Sequence, residues 1–179
     1  MSAAVRSPLP VLVRRLVLND VGPVIAWQAL QRIGEYLGTL AQFSSVQQAA
    51  DAMWLTSSSF GPHTPAQWLA LAQHMVKPVP GAPGRMTLHY DPALAIPFLA
   101  VTEASAAEGE ALLWQLYDNI TARTLLVRGA QSDLLSIETA HAMMARGPKA
   151  KLVEFAGVGH APTFISDDQV QTLSSFLLD

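Results

Sequence analysis

The stretch "TLLVRGAQSDLLS", Thr124 to Ser136, contains a short strand, a glycine turn carrying an acid, and the first residue of a helix. Its opening residues, Thr124 to Arg128, are almost continuously apolar, the pattern of a strand buried on both faces of a parallel sheet. Gly129 breaks the run, and Asp133 follows a few residues later. Ser136 then stands as N-cap before "IETAHAMMARGP", where Gly147 is the C-terminal stop and Pro148 lies just beyond. A strand, a turn and a helix in this order are the repeating unit of an α/β layer fold.

The same unit recurs on both sides. Downstream, "KLVEF" (Lys151 to Phe155) reads as a strand and runs into "AGVGHAP", which carries His160. The segment "SDDQVQTLSSFLLD" follows, with Ser166 and Gln169 spaced as a capping box and Val170, Leu173, Phe176 and Leu177 on one helical face. Upstream, "RLVLN" (Arg15 to Asn19) reads as a strand ending at Asp20.

Roughly a hundred residues separate the first strand from the second, far more than an ordinary crossover, so this stretch needs structure of its own. Ala26, Leu30, Ile33 and Leu37 recur at helical spacing up to Gly38. Ser45 with Gln48, and Thr64 with Pro65 and Gln67, open two further helices. Asp91 and Pro92 offer another start, "RMTLHY" (Arg85 to Tyr90) is a short strand candidate, and "ALLWQLYDNI" (Ala111 to Ile120) reads as a helix. "TEASAAEGE" (Thr102 to Glu110) is the linker candidate. The expectation is a helical cap inserted above the sheet.

Composition narrows the function. The 11 Lys and Arg residues are scattered over a chain of net charge −3, which argues against a nucleic-acid or anionic-membrane partner. Without cysteine there is no disulfide framework or thiolate zinc site, which fits a reducing compartment. The prolines at 8 and 10 and the arginines at 14 and 15 interrupt any signal-peptide core. A soluble, cytoplasmic protein is expected.

The chemistry-bearing residues sit in the two C-terminal turns. In a parallel sheet Asp133 and His160 emerge at the same edge, on strands about 5 Å apart if adjacent. A carboxylate bonded to one imidazole nitrogen fixes the tautomer and frees the other nitrogen to take a proton from a nucleophile, as acyl transfer requires. Asp20 competes with Asp133 for that role. The histidines at 63, 74, 89 and 141 lack metal-ligand spacing and suit surface or cap-packing positions. Trp27, Trp54, Trp68 and Trp114 suit a cap core; any that line a pocket would favour an apolar acyl or ring-bearing substrate.

"LVLNDVGP", the helical insertion, "TLLVRGAQSDLLS", "VGHAP" and the amphipathic C-terminal helix together resemble the C-terminal half of the α/β-hydrolase superfamily, in members with a cap, from about Val13 to Asp179. The resemblance implies a short parallel sheet of about three strands with flanking helices and a large helical cap. It divides the chain into 1–22 (start of the core, one strand), 23–118 (cap) and 119–179 (core with acid and histidine). It makes Asp133 the triad acid and His160 the triad base; some members carry the acid after the earlier strand, where Asp20 stands.

A G-x-S-x-G nucleophile elbow is absent from the 179 residues, as is a version with Asp or Cys at its centre, and the serines at 57, 58 and 59 follow a helix-like run instead. By the resemblance, the elbow and five strands would lie upstream of Met1, making this a shortened form, inactive alone. Its first strand would be an exposed apolar edge, a route to homo-oligomers or aggregation. The expected activity is serine-type hydrolysis of a small ester with no cofactor. An aspartate nucleophile, as in epoxide hydrolases and dehalogenases, is the variant reading, and a non-catalytic binding module the alternative from another class.

Overall fold

The computed structural model describes residues 12–24, 26–39 and 41–179; the reading of residues 1–11 falls outside them. Three parallel strands form the main sheet: β1 (Arg15–Asn19), β5 (Arg123–Gly129) and β6 (Lys151–Phe155), in the order β1-β5-β6. Val17 lies opposite Leu125, and Leu125 opposite Lys151, so all three C-terminal ends meet at one edge. The central β5 is buried on both faces, which is why its sequence is an unbroken apolar run. Leu126 packs with Leu18, Tyr117, Leu135 and Met143 on one face; Leu125 and Val127 pack with Phe155, Val158 and Phe176 on the other.

The helices follow their caps. Ser45 accepts a hydrogen bond from the Gln48 N–H to start α2 (Val46–Ser57), and Thr64 with Gln67 closes a full capping box on α3 (Pro65–Gln73). α1 (Trp27–Tyr36) ends before Gly38, whose φ of 89° lets the chain reverse. A short 3₁₀ turn capped by Asp91 leads into α4 (Ala95–Ala100), and Ser136 caps α6 (Ile137–Ala145).

Three expectations are corrected. Thr102 to Glu110 is no linker: Thr102 and Ser105 form a capping box, and the Ala- and Glu-rich run is the first half of α5 (Glu103–Asp118), as its helix propensity favours. The insertion is not wholly helical: the strand expected within Arg85 to Tyr90 forms as β4 (Met86–Leu88), and it pairs antiparallel with β2 (Gln42–Phe43) and β3 (Val76–Pro78), whose two and three residues are too short to leave a periodic signal. At the start of α7 (Asp167–Leu178) the Ser166–Gln169 capping box does not form. The Gln169 side chain instead accepts from the Phe164 N–H at 2.8 Å, bracing the loop that follows His160.

The insertion has its own core of Phe43, Ala49, Ala50, Met53, Trp68, Ala72 and Val76. Trp68 is the anchor, with its indole N–H donating to the Ala50 carbonyl at 2.8 Å. Among the described residues, no helix is long and apolar enough to cross a membrane.

Candidate active site

His160 and an aspartate do meet at the C-terminal edge of the main sheet, but the aspartate is Asp20. His160 Nδ1–H donates to Asp20 Oδ2 at 2.8 Å, since a carboxylate can only accept. The Asp20 side chain is fully buried and that of His160 is 26% exposed. Two more donors hold the carboxylate: the Gly129 N–H on Oδ1 at 2.9 Å and the Ser132 hydroxyl on Oδ2 at 2.6 Å. A buried carboxylate with three donors is compensated for its lost hydration.

The reach from β1 across β5 to β6 has identifiable causes. The Asp20 N–H continues the ladder with the Val127 carbonyl at 2.7 Å, and the residue then turns with φ 54°, a left-handed conformation that Asp tolerates better than most residues. This lays its carboxylate over the end of β5. Gly129 terminates β5 directly beneath the histidine turn: a Cβ there would collide with the Gly159 carbonyl oxygen and lie 2.6 Å from that of Val158. Having no side chain, Gly129 lets the turn cross β5 and bring His160 to Asp20.

Asp133 does not orient His160, contrary to the expectation for it. A tight turn, with the Ser132 N–H bonded to the Gly129 carbonyl at 2.9 Å, aims Ser132 at Asp20 and leaves Asp133, one residue on, at the surface. There its side chain is 51% exposed and forms a two-pronged ion pair with Arg32 of α1. The hydrogen bond to Asp133 holds the Arg32 guanidinium above its ordinary range, while burial raises the phenol of neighbouring Tyr36 against the opposing charge of Arg32. Asp133 therefore ties the cap to the core.

Several participants went unread in the sequence. Asn19 donates to the Pro162 carbonyl at 3.0 Å, and the Gln131 N–H donates to the Val158 carbonyl at 2.9 Å, so the histidine loop is fixed on either side of the imidazole. Buried Arg128 clamps the turn that carries Ser132, through the Leu135 carbonyl at 2.8 Å and an ion pair with Glu154 at 2.6 Å. Only Asn19-Asp20, a polar pair closing an apolar strand, gave a local signal. Ser132→Ala is expected to lower kcat/KM about tenfold in an active hydrolase context while leaving the far-ultraviolet circular dichroism unchanged, the loss of one hydrogen bond to a charged group.

The imidazole Nε2 has no hydrogen-bond partner among the described residues, so a proton acceptor is available at the partly exposed tip of the ring. Ser59 lies beside this turn, where its carbonyl accepts from the Gly159 N–H at 2.6 Å, but it sits in a 3₁₀ turn after α2 rather than at a strand–helix elbow. In the cap, Trp27, Leu30, Phe98 and Val101 line an apolar cleft of about 530 Å³ between α1 and α4.

No protein-family model matches the chain. A 3-hydroxybutyrate-oligomer hydrolase of Cupriavidus necator is 47% identical over 165 residues, which are 92% of this chain and 56% of the relative. The chain thus spans about half the length of the curated relative. Among solved structures, an alpha/beta hydrolase from Novosphingobium aromaticivorans is 31% identical with a TM-score of 0.71, covering 92% of this chain and 56% of that one. A Mycobacterium tuberculosis esterase is similar in fold, at 22% identity and a TM-score of 0.64, covering 95% of this chain and 56% of that one.

Proposed function

The chain belongs to the α/β-hydrolase superfamily, and from that premise we propose that it forms the acid–base part of an ester hydrolase acting on short 3-hydroxyacid oligomers. The observation that carries the reading is the 2.8 Å bond between His160 Nδ1 and the buried Asp20 carboxylate. Asp20 keeps the Nδ1 proton in place, so that Nε2 is the basic nitrogen. That nitrogen takes the proton of an attacking hydroxyl as its oxygen bonds to the ester carbon, and later returns it to the departing alcohol oxygen. The carboxylate stabilises the imidazolium between the two steps, and water resolves the acyl intermediate by the same proton route.

The relative's activity on 3-hydroxybutyrate oligomers supports the substrate class. No serine of this sequence stands in a G-x-S-x-G turn.

The test replaces the aligned segment of the Cupriavidus hydrolase with the corresponding residues of this chain and follows 3-hydroxybutyrate release from a 3-hydroxybutyrate trimer. The graft is expected to cleave the trimer. A folded, soluble graft that leaves the trimer intact but hydrolyses simple acyl esters would overturn the substrate class, and one inert towards both would overturn the catalytic reading.

A further inference from the structure

The cap grips the histidine loop on both flanks of His160. One residue before it, the Gly159 N–H donates to the Ser59 carbonyl at 2.6 Å. Three residues after it, the Thr163 hydroxyl lies 2.8 Å from His63 Nε2. Between these ties, Gly61 sits against Val158 so closely that a Cβ would fall 2.9 Å from a valine methyl. The contacts from the cap thus come from one short segment, residues 59–63.

His63 occupies this place in a defined orientation. Its Nδ1 faces the Gly61 carbonyl at 2.8 Å, and a carbonyl only accepts, so Nδ1 carries a proton. In the neutral ring Nε2 then accepts from the Thr163 hydroxyl. The imidazole stands edge-on to Trp68, ring centroids 5.5 Å apart, and to Trp54 at 6.5 Å. Trp68 belongs to the cap's buried core, so His63 extends a rigid body to the loop, not a surface contact alone.

We propose that His63 is a positioning residue for His160, acting through Thr163: it registers the cap on the histidine loop and so sets the distance between the imidazole and Asp20. The cap then holds half of the proton relay in place, and a cap displacement that parts His63 from Thr163 loosens the His160–Asp20 bond. This rests on the reading of His160 and Asp20 as a pair.

The experiment uses this chain with ring-labelled [15N]histidine and measures how fast the His160 Nδ1 proton exchanges with water, with Asp20→Asn identifying that proton by its loss. His63→Ala and Thr163→Val are each expected to speed the exchange about fivefold, the effect of removing one net hydrogen bond, and the double variant no more than either alone. His63→Gln, whose carboxamide oxygen can accept from Thr163, is expected to restore most of the protection. If His63→Ala does not fold, Thr163→Val, a change of similar volume, decides alone. Exchange at the parental rate in a folded Thr163→Val variant overturns the proposal, as does a His63→Gln variant no better than His63→Ala. Should the parent show no protected proton that Asp20→Asn removes, the His160–Asp20 reading itself falls and the proposal with it.

Discussion

Asp20→Asn in the grafted hydrolase is expected to lower kcat by about 10⁴-fold, the scale of losing the carboxylate that fixes a catalytic histidine's tautomer. The reason lies in the donors around it. Gly129, Ser132 and His160 all present hydrogens to the Asp20 oxygens. An amide at this position must turn its NH₂ towards one side of that set, and facing His160 it leaves Nδ1 unprotonated and moves the proton to Nε2, where no base remains. His160→Ala is expected to cost at least as much. Asp133→Asn should leave kcat within about twofold and stability within about 0.5 kcal/mol, because the Arg32 pair it weakens is half exposed and screened by water. Trimer hydrolysis by the three variants under saturating substrate decides the matter: if Asp133→Asn abolishes turnover and Asp20→Asn spares it, the assignment of the acid is reversed.

Gly129→Ala is expected to destabilise this chain by about 3 kcal/mol and to remove activity from the graft. The added methyl would meet the carbonyl oxygens of Val158 and Gly159, which are backbone atoms fixed by the Gln131 and Ser59 bonds and cannot rotate away. The loop must lift, and His160 lifts with it. Gly109→Ala is the control. A Cβ there, inside α5, meets nothing within 4 Å, so the same change should stabilise by about 0.5 kcal/mol through helix propensity. Urea midpoints of the two variants against the parent measure both effects, and a Gly129→Ala chain as stable as the parent would show that the loop has slack.

Much of the scaffold was legible because its signals are local. Each strand of the main sheet announces itself as an apolar run, and the Ser45, Thr64 and Ser136 caps act over three residues. The capping rule failed at Ser166, where Gln169 was drawn two residues further back to the Phe164 N–H, and at Thr102 an apparent linker was a capped helix. At Ser166 a backbone N–H outside the helix start chose between two structures, whereas at Thr102 the deciding capping box with Ser105 is itself local. Of the cap sheet's strands, β4 was legible within Arg85 to Tyr90, while β2 and β3, of two and three residues, were not; β2 is held by pairing with β4 across more than forty residues of sequence, as Phe43 with Met86 shows.

By itself, then, the sequence determined an α/β layer with parallel strands, an inserted cap, and a histidine in a glycine turn at the sheet's C-terminal edge, since composition, periodicity and capping act over a few residues. Which carboxylate serves that histidine was decided only in three dimensions. Asp133 and Asp20 both follow strands that end at the correct edge. Asp20 reaches His160 because its backbone turns left-handed over the end of β5, because Gly129 leaves that end bare, and because Ser132 points inward where Asp133 points out to Arg32. These are relations among residues 109 to 140 positions apart, and only the packing of three strands brings them within hydrogen-bonding distance.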